Sequence, residues 1–282
     1  MKLLRFGPVG EEKPGILDGN GSIRDLSGLI ADLGPDQLAP DALEKLAAID
    51  LDSLPVIAPD TRLGAPVADV RKVLAIGLNY ADHAAETGAI PPEEPMLFSK
   101  AVTAICGPND PTELPSHASQ LDWEVELGFV IGTRAKHIAA GEGLSHIAGY
   151  VLANDYSERG WQKERAGQFV KGKSHDSFCP LGPWLVTRDE IADPQAIDLS
   201  LSVSGASRQN GSTATMIHKV AFLVEYLSQF VTLEPGDVVL TGTPPGVGAG
   251  MSPKQFLKAG DVVELEGAGL GRQRHDVVAV GG

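Results

Sequence analysis

Cysteine, basic charge and long apolar runs are all scarce in this sequence. Two cysteines, Cys106 and Cys179, in 282 residues form no metal-type cluster. They suit a reduced, cytoplasmic protein. Lysine and arginine total 23 against 37 aspartates and glutamates, a formal charge of −14. That balance argues against a general nucleic-acid binder, which needs a basic surface. No stretch of 18 apolar residues occurs, so no membrane span is expected. The opening residues 1–7 lack the apolar core of a signal peptide. There is no HxH or HExxH pairing of the kind zinc sites use.

Glycine and proline are plentiful, at 33 and 20 residues. They imply many turns and a β-rich, loop-rich chain. With 43% hydrophobic and 21% charged residues, the chain belongs with folded globular proteins. Strands are expected near 2–6, 23–26, 73–77, 123–131, 147–153, 199–204, 237–241 and 261–266. Helices are expected at 40–48, 218–230 and within 157–168, with a linker at 59–66. Mixed strands and scattered helices point to an α+β, β-rich fold rather than regular βαβ alternation. A small N-terminal domain, residues 1–68, would precede a catalytic domain, residues 69–282.

Residues 122–132 are the most informative stretch. Alternation along a strand puts Trp123, Val125, Leu127, Phe129 and Ile131 on one face and Glu124 with Glu126 on the other. Two adjacent like charges repel and lose solvation when half-buried. Either the pair lies on a solvated edge strand, or a cation holds it. Asp155 follows the apolar strand 147–153, where it is either a turn cap or a third ligand. Three carboxylates without cysteine favour Mg²⁺, Mn²⁺ or Ca²⁺ over Zn²⁺.

Residues 79–88 read as a short helix, with Asn79 as N-cap and Gly88 as its stop. His83 and Glu86, three residues apart, then share a face. A carboxylate that orients an imidazole makes it a better base for activating water. The alternative is an ordinary surface pair. Residues 167–174 match the P-loop pattern, but Pro180 and Pro183 follow, and no apolar strand precedes. The match therefore reads as coincidental, though Lys173 remains a cation able to polarise a carbonyl. The loop from Thr241 to Gly248 offers backbone N–H groups and two hydroxyls to an anion.

Taken together and in this order, these pieces resemble the fumarylacetoacetate hydrolase family. The matching residues are Gly77, Leu78, Asn79 and Tyr80 with His83 and Glu86; Pro95 to Lys100; Asp122 to Leu127; Asn154 and Asp155; Lys173 and Ser174; and Thr241 to Gly248. Arg208 and Gln209, Thr215 to Ile217 and Leu233 to Asp237 also fit. Residues Lys2 to Gly7 and Lys13 to Asp18, with Ile105 to Asp110 and Gly182 to Thr187, look like the branch that includes 2,4-diketo-3-deoxy-sugar-acid hydrolases, notably for rhamnonate- or fuconate-derived acids. Many members of that branch are labelled ureidoglycolate lyase. His175 departs from the pattern beside Lys173, which bears on specificity.

The resemblance implies a homodimer with Mg²⁺ or Mn²⁺ on Glu124, Glu126 and Asp155. It implies a water-activating dyad of His83 and Glu86 and a substrate-side role for Lys173. Arg159, Gln162 and Thr243 match positions that meet the substrate carboxylate or carbonyl. The expected reaction is hydrolytic C–C cleavage of a 2,4-diketo acid, such as a diketo-deoxyrhamnonate, to pyruvate and a second acid. Oxaloacetate decarboxylation and ureidoglycolate cleavage are rivals on the same site. A P-loop nucleotide binder is the remote one.

Overall fold

The computed structural model describes residues 1–280. The central strand Val125–Ile131 is buried along its whole length, on both faces. It lies between Ile147–Asn154 on one side and Val238–Leu240 on the other, antiparallel to both. Beyond Val238–Leu240 the sheet continues through Val73–Gly77, which pairs in parallel, to Met96–Lys100. Beyond Ile147–Asn154 it continues through Leu185–Thr187 to Lys2–Phe6, Lys13–Leu17 and Ile23–Asp25. The N-terminal unit thus extends the main sheet rather than forming one of its own.

A second, five-stranded sheet runs Ala206–Ser212, Asp198–Val203, Val262–Gly267, Gly271–Ala279 and Thr112–Leu114. Its inner face packs on the first sheet. Gln273 Nε2 donates to the carbonyl of Leu152 across that seam at 2.8 Å. The helix Val220–Phe230 buries Val220, Leu223, Val224 and Leu227 as an apolar stripe at helical spacing, whereas Phe230, which the same spacing would place on the core face, is exposed.

Several expectations need correction. Residues 59–66 are no free linker, because Leu63–Gly64 pairs with Lys2–Phe6. The segment 157–168 carries only the short helix Arg159–Lys163. Ser157–Glu158 instead pairs with Leu121–Asp122, and Ala166 and Gly167 both take the left-handed conformation, which ends helical continuity. Asn79 does not cap its helix. Tyr80 holds that position, while the Asn79 amide donates to the carbonyls of His218 and Thr241. Gly88 does end the helix Ala81–Thr87, at φ 65°.

The P-loop match has no preceding strand, and only the four-residue helix Val170–Lys173 lies within it. That short helix nevertheless positions Lys173, buried, beneath the central strand's carboxylates.

Candidate active site

Glu124 and Glu126 leave the central strand on one face, as the alternation requires, but that face is not solvated. Both side chains are buried, which removes the edge-strand reading. Asp155, at the end of the neighbouring strand, meets them. Oxygen atoms of Glu124, Glu126 and Asp155 lie within 4.8 Å of one another. Asp155 is no turn cap: its carboxylate accepts from Lys173 Nζ at 2.6 Å and from Lys100 Nζ. Lys173 also donates to Glu124 at 2.6 Å. Arg159 reaches the other Glu124 oxygen at 2.6 Å and Asp122 at 2.8 Å.

Four buried carboxylates therefore face three buried cations. Burial alone would raise the Glu124 carboxyl, but Lys173 and Arg159 outweigh it and bring it down to about 2. Lys173 is likewise disfavoured as a cation by burial and restored above its ordinary value by Asp155 and Glu124. Glu126 is the odd group. Burial, then the charges of Asp155 and Glu124, push it well above the usual carboxylate range. Its hydrogen-bond donor is the Gly242 N–H at 2.7 Å, and among the described residues no cation pairs with it.

This donor set fits a hard divalent cation. All three donors are carboxylate oxygens, and one of them, Glu126, has no cation of the protein paired with it among the described residues. Their span is near the roughly 4–5 Å that metal–oxygen bonds of about 2.1–2.4 Å allow across an ion. The Lys173 ammonium between Glu124 and Asp155 marks the place as one for positive charge.

A cavity of about 280 Å³ opens onto Glu124 and Glu126. Its wall includes His83, Arg159, Gln162, Lys173, Gly242 and Thr243. His83 Nδ1 lies 3.2 Å from Glu86 Oε2, so the expected pair forms and faces the carboxylates. Glu86 is held in turn by the Gly246 N–H at 3.0 Å. Only glycine serves there: φ is +106°, and a Cβ would lie 2.0 Å from the Arg208 carbonyl oxygen. Gly242, at φ +97°, similarly lets its backbone reach Glu126.

Arg159 Nη1 donates to Gln162 Oε1 at 3.1 Å, joining two of the expected substrate contacts. The Thr243 hydroxyl donates to the Val125 carbonyl at 2.8 Å and accepts from Gln209, tying its loop to the central strand. His175 lies outside the cavity wall, 3.8 Å from Glu113 and against the Phe178 ring.

Two residues of the cluster, Lys100 and Asp122, match the family pattern but receive no site role from the sequence. Lys100 ends a strand and pairs with the Asp155 oxygen that Lys173 does not use. Asp122 accepts from Arg159 and from the N–H groups of Trp123, Gly248 and Ala249.

The profile of the fumarylacetoacetate (FAA) hydrolase C-terminal family matches residues 72–278. The chain belongs to that family. It is 56% identical over 274 residues to a protein of Burkholderia ambifaria named only as a hydrolase, with 97% of each chain covered. The fumarylacetoacetate hydrolase of Exiguobacterium antarcticum superposes at a TM-score of 0.88 with 37% identity, over 99% of this chain and all of that one. Maleylpyruvate hydrolase from Sphingobium sp. SYK-6, solved with manganese(II) and pyruvate, gives 0.84 at 26% identity over the whole of both chains. The fold is thus that of the family, with a small N-terminal unit, and the protein is an enzyme of a hydrolase family. No helix among the described residues is long and apolar enough to cross a membrane.

Proposed function

We propose that this protein hydrolyses the C3–C4 bond of an acylpyruvate-type 2,4-diketo acid, giving pyruvate and a second carboxylic acid. The observation that carries this reading is the convergence of Glu124, Glu126 and Asp155 on a cavity that also holds the His83–Glu86 pair. The manganese and pyruvate bound to the maleylpyruvate hydrolase support the same assignment.

Glu124, Glu126 and Asp155 would hold Mg²⁺ or Mn²⁺, which when bound supplies Lewis acidity to the carboxylate and keto oxygen of a chelating 2-keto acid. His83 takes a proton from water, and Glu86 fixes the imidazole and balances the charge it gains. The hydroxide equivalent adds to the C4 carbonyl. The C3–C4 bond breaks, its electron pair passes into the pyruvate enolate, and a proton returns to C3. Lys173 and Arg159 present positive charge to the enolate and the carboxylate. Gln162 steadies Arg159 and offers its amide to the substrate. Thr243 sets the loop that closes this wall.

Oxaloacetate decarboxylation on the same residues would need no water-activating base. The oriented His83–Glu86 pair favours hydrolysis over it. A pyruvate-release assay across acylpyruvates, diketo-deoxy sugar acids and oxaloacetate, with Mg²⁺ or Mn²⁺, tests the reading. Hydrolysis of a 2,4-diketo acid that disappears in His83→Ala is the expected result. Oxaloacetate turnover alone, indifferent to that substitution, would replace the reading with decarboxylation. Assembly as a homodimer belongs to the same proposal, and Phe222 and Phe230, exposed along one helix, offer surface for it. A monomeric mass by light scattering would remove that part.

A further inference from the structure

Resting on the metal site of that reading, we infer that Lys100 tunes the site through its charge, loosening the hold on the divalent ion and tightening the hold on the keto acid's carboxylate. The inference starts from an inverted strand. Met96–Lys100 lies at the edge of the main sheet, and its burial runs against ordinary preference. Met96 is 41% exposed and Leu97 36%, while Lys100 is the residue that the strand buries. Its ammonium donates to Asp155 Oδ1 and, at 3.4 Å, to the Tyr156 carbonyl. A lysine placed this way is costly unless its charge is used.

Asp155 does not need Lys100 for its position. Its backbone N–H donates to the Glu124 carbonyl at 2.9 Å, and its carbonyl accepts from Ser157 Oγ at 2.9 Å. Lys173 grips its other carboxylate oxygen at 2.6 Å. Nor can Lys100 touch substrate, because it lies outside the cavity wall and its side chain is wholly buried. What is left to it is its charge.

The charge of the buried cluster sets what the cluster takes up next. Asp122, Glu124, Glu126 and Asp155, all ionised, exceed Lys100, Arg159 and Lys173 by one negative charge. A divalent ion turns that into one positive charge in excess, which the carboxylate of a 2-keto acid cancels. Without Lys100 the ion alone would bring the cluster to neutrality. The keto acid would then leave a buried negative charge unmatched. Lys100 is therefore a positioning residue that acts through Asp155 on charge rather than on geometry, and it reserves a place for the substrate's anion.

Calorimetry on Lys100→Met reads both effects without turnover. It is run at alkaline pH, where protons compete least for Glu126. Mn²⁺ should bind about tenfold more tightly than to the wild type, and pyruvate should bind the Mn²⁺-loaded variant about tenfold more weakly. A residue that merely props up Asp155 would weaken both, so the opposite signs carry the test. Lys100→Arg keeps the charge and should hold the ratio of the two constants near its wild-type value. The wild type alone gives a second reading. Loaded with Mn²⁺, it should prefer pyruvate to pyruvamide, the neutral counterpart, by about tenfold.

Weakening of both constants in Lys100→Met, or no change in either, would overturn the assignment. So would equal binding of pyruvate and pyruvamide by the wild type. Failure of the wild type to bind Mn²⁺ would remove it together with the metal site. Opposite shifts in a protein that cleaves no acylpyruvate would keep Lys100 in its role and remove only the reaction.

Discussion

The carboxylate end of the cavity and its histidine rim are built on opposite terms. The carboxylates sit on and beside the middle strands of a ten-stranded sheet, buried, and Glu124 and Asp155 are tied to buried cations. Their positions are over-determined, since Asp155 alone is gripped by two lysines. The rim rests on one short helix, Ala81–Thr87, tied to the body through Glu86 and the Gly246 N–H, and through Asp82 and the Thr215 hydroxyl. Here the Glu86 side chain is a quarter exposed. The lesson is a division of labour. Buried charges are locked by the sheet, and the histidine proposed to exchange protons with water is left near the solvent.

That contrast can be broken most severely at Asp155. Asp155→Ala leaves Lys100 and Lys173 as buried cations short of a partner. We expect loss of about 3–5 kcal/mol in stability and no measurable turnover. Urea unfolding read by circular dichroism checks the first, and pyruvate release the second. At the rim, His83→Ala should cost about 10²–10⁴-fold in kcat while leaving the urea midpoint nearly unchanged. A large fall in stability from His83→Ala would erase the distinction between the two regions.

Loading with Mn²⁺ at a hundred times its dissociation constant should stabilise the protein by about 2.7 kcal/mol. Glu126→Gln should abolish most of that gain, as seen in thermal melts with and without chelator. Metal binding should also release a proton. Glu126 has its native carboxyl pKa raised, so the ion displaces a proton that the apo-protein retains well above the usual carboxylate range. Calorimetric heats of Mn²⁺ binding in buffers of different ionisation enthalpy measure that proton, and affinity should rise with pH.

Glu124 behaves in the opposite sense. Its carboxyl is lowered to about 2, so its stabilising contribution is full above about 4.5 and is lost as pH falls towards 2. Glu124→Gln should flatten the dependence of the urea midpoint over that window. The smallest effect is expected at Glu86→Gln. The amide oxygen can still accept from Gly246, but the imidazole loses its charged partner, and kcat should fall on the order of tenfold.

The sequence made the carboxylate end easier to read than the rest of the molecule. Alternation at 123–131 placed Glu124 and Glu126 on one face because the opposite face was wholly apolar, and the buried strand obeys it. The strand Gly271–Ala279 was missed for the reverse reason. Its inward positions include Gln273 and His275, both buried and polar, so no apolar period announces it. The division of Ser157–Glu158 from the helix that follows depends on pairing with Leu121–Asp122, a contact no local pattern encodes. Lys100 was invisible as a site residue because its partner is 55 residues away. Its neighbours on the same strand are largely exposed.

The pairing of Lys2 with Val186 has a consequence in time. The first strand of the chain leaves the ribosome long before the strand that completes its side of the sheet. At roughly 5–20 residues per second, the delay is on the order of ten to forty seconds. During that interval Leu3, Leu4 and Phe6 are sheltered first by the early meander through Lys13–Leu17 and Ile23–Asp25, and then by Leu63–Gly64. The central strand Val125–Ile131 faces a similar wait for Val238–Leu240. Much of nascent life is therefore spent with open strand edges, and activity becomes available only after nearly the whole polypeptide has been made.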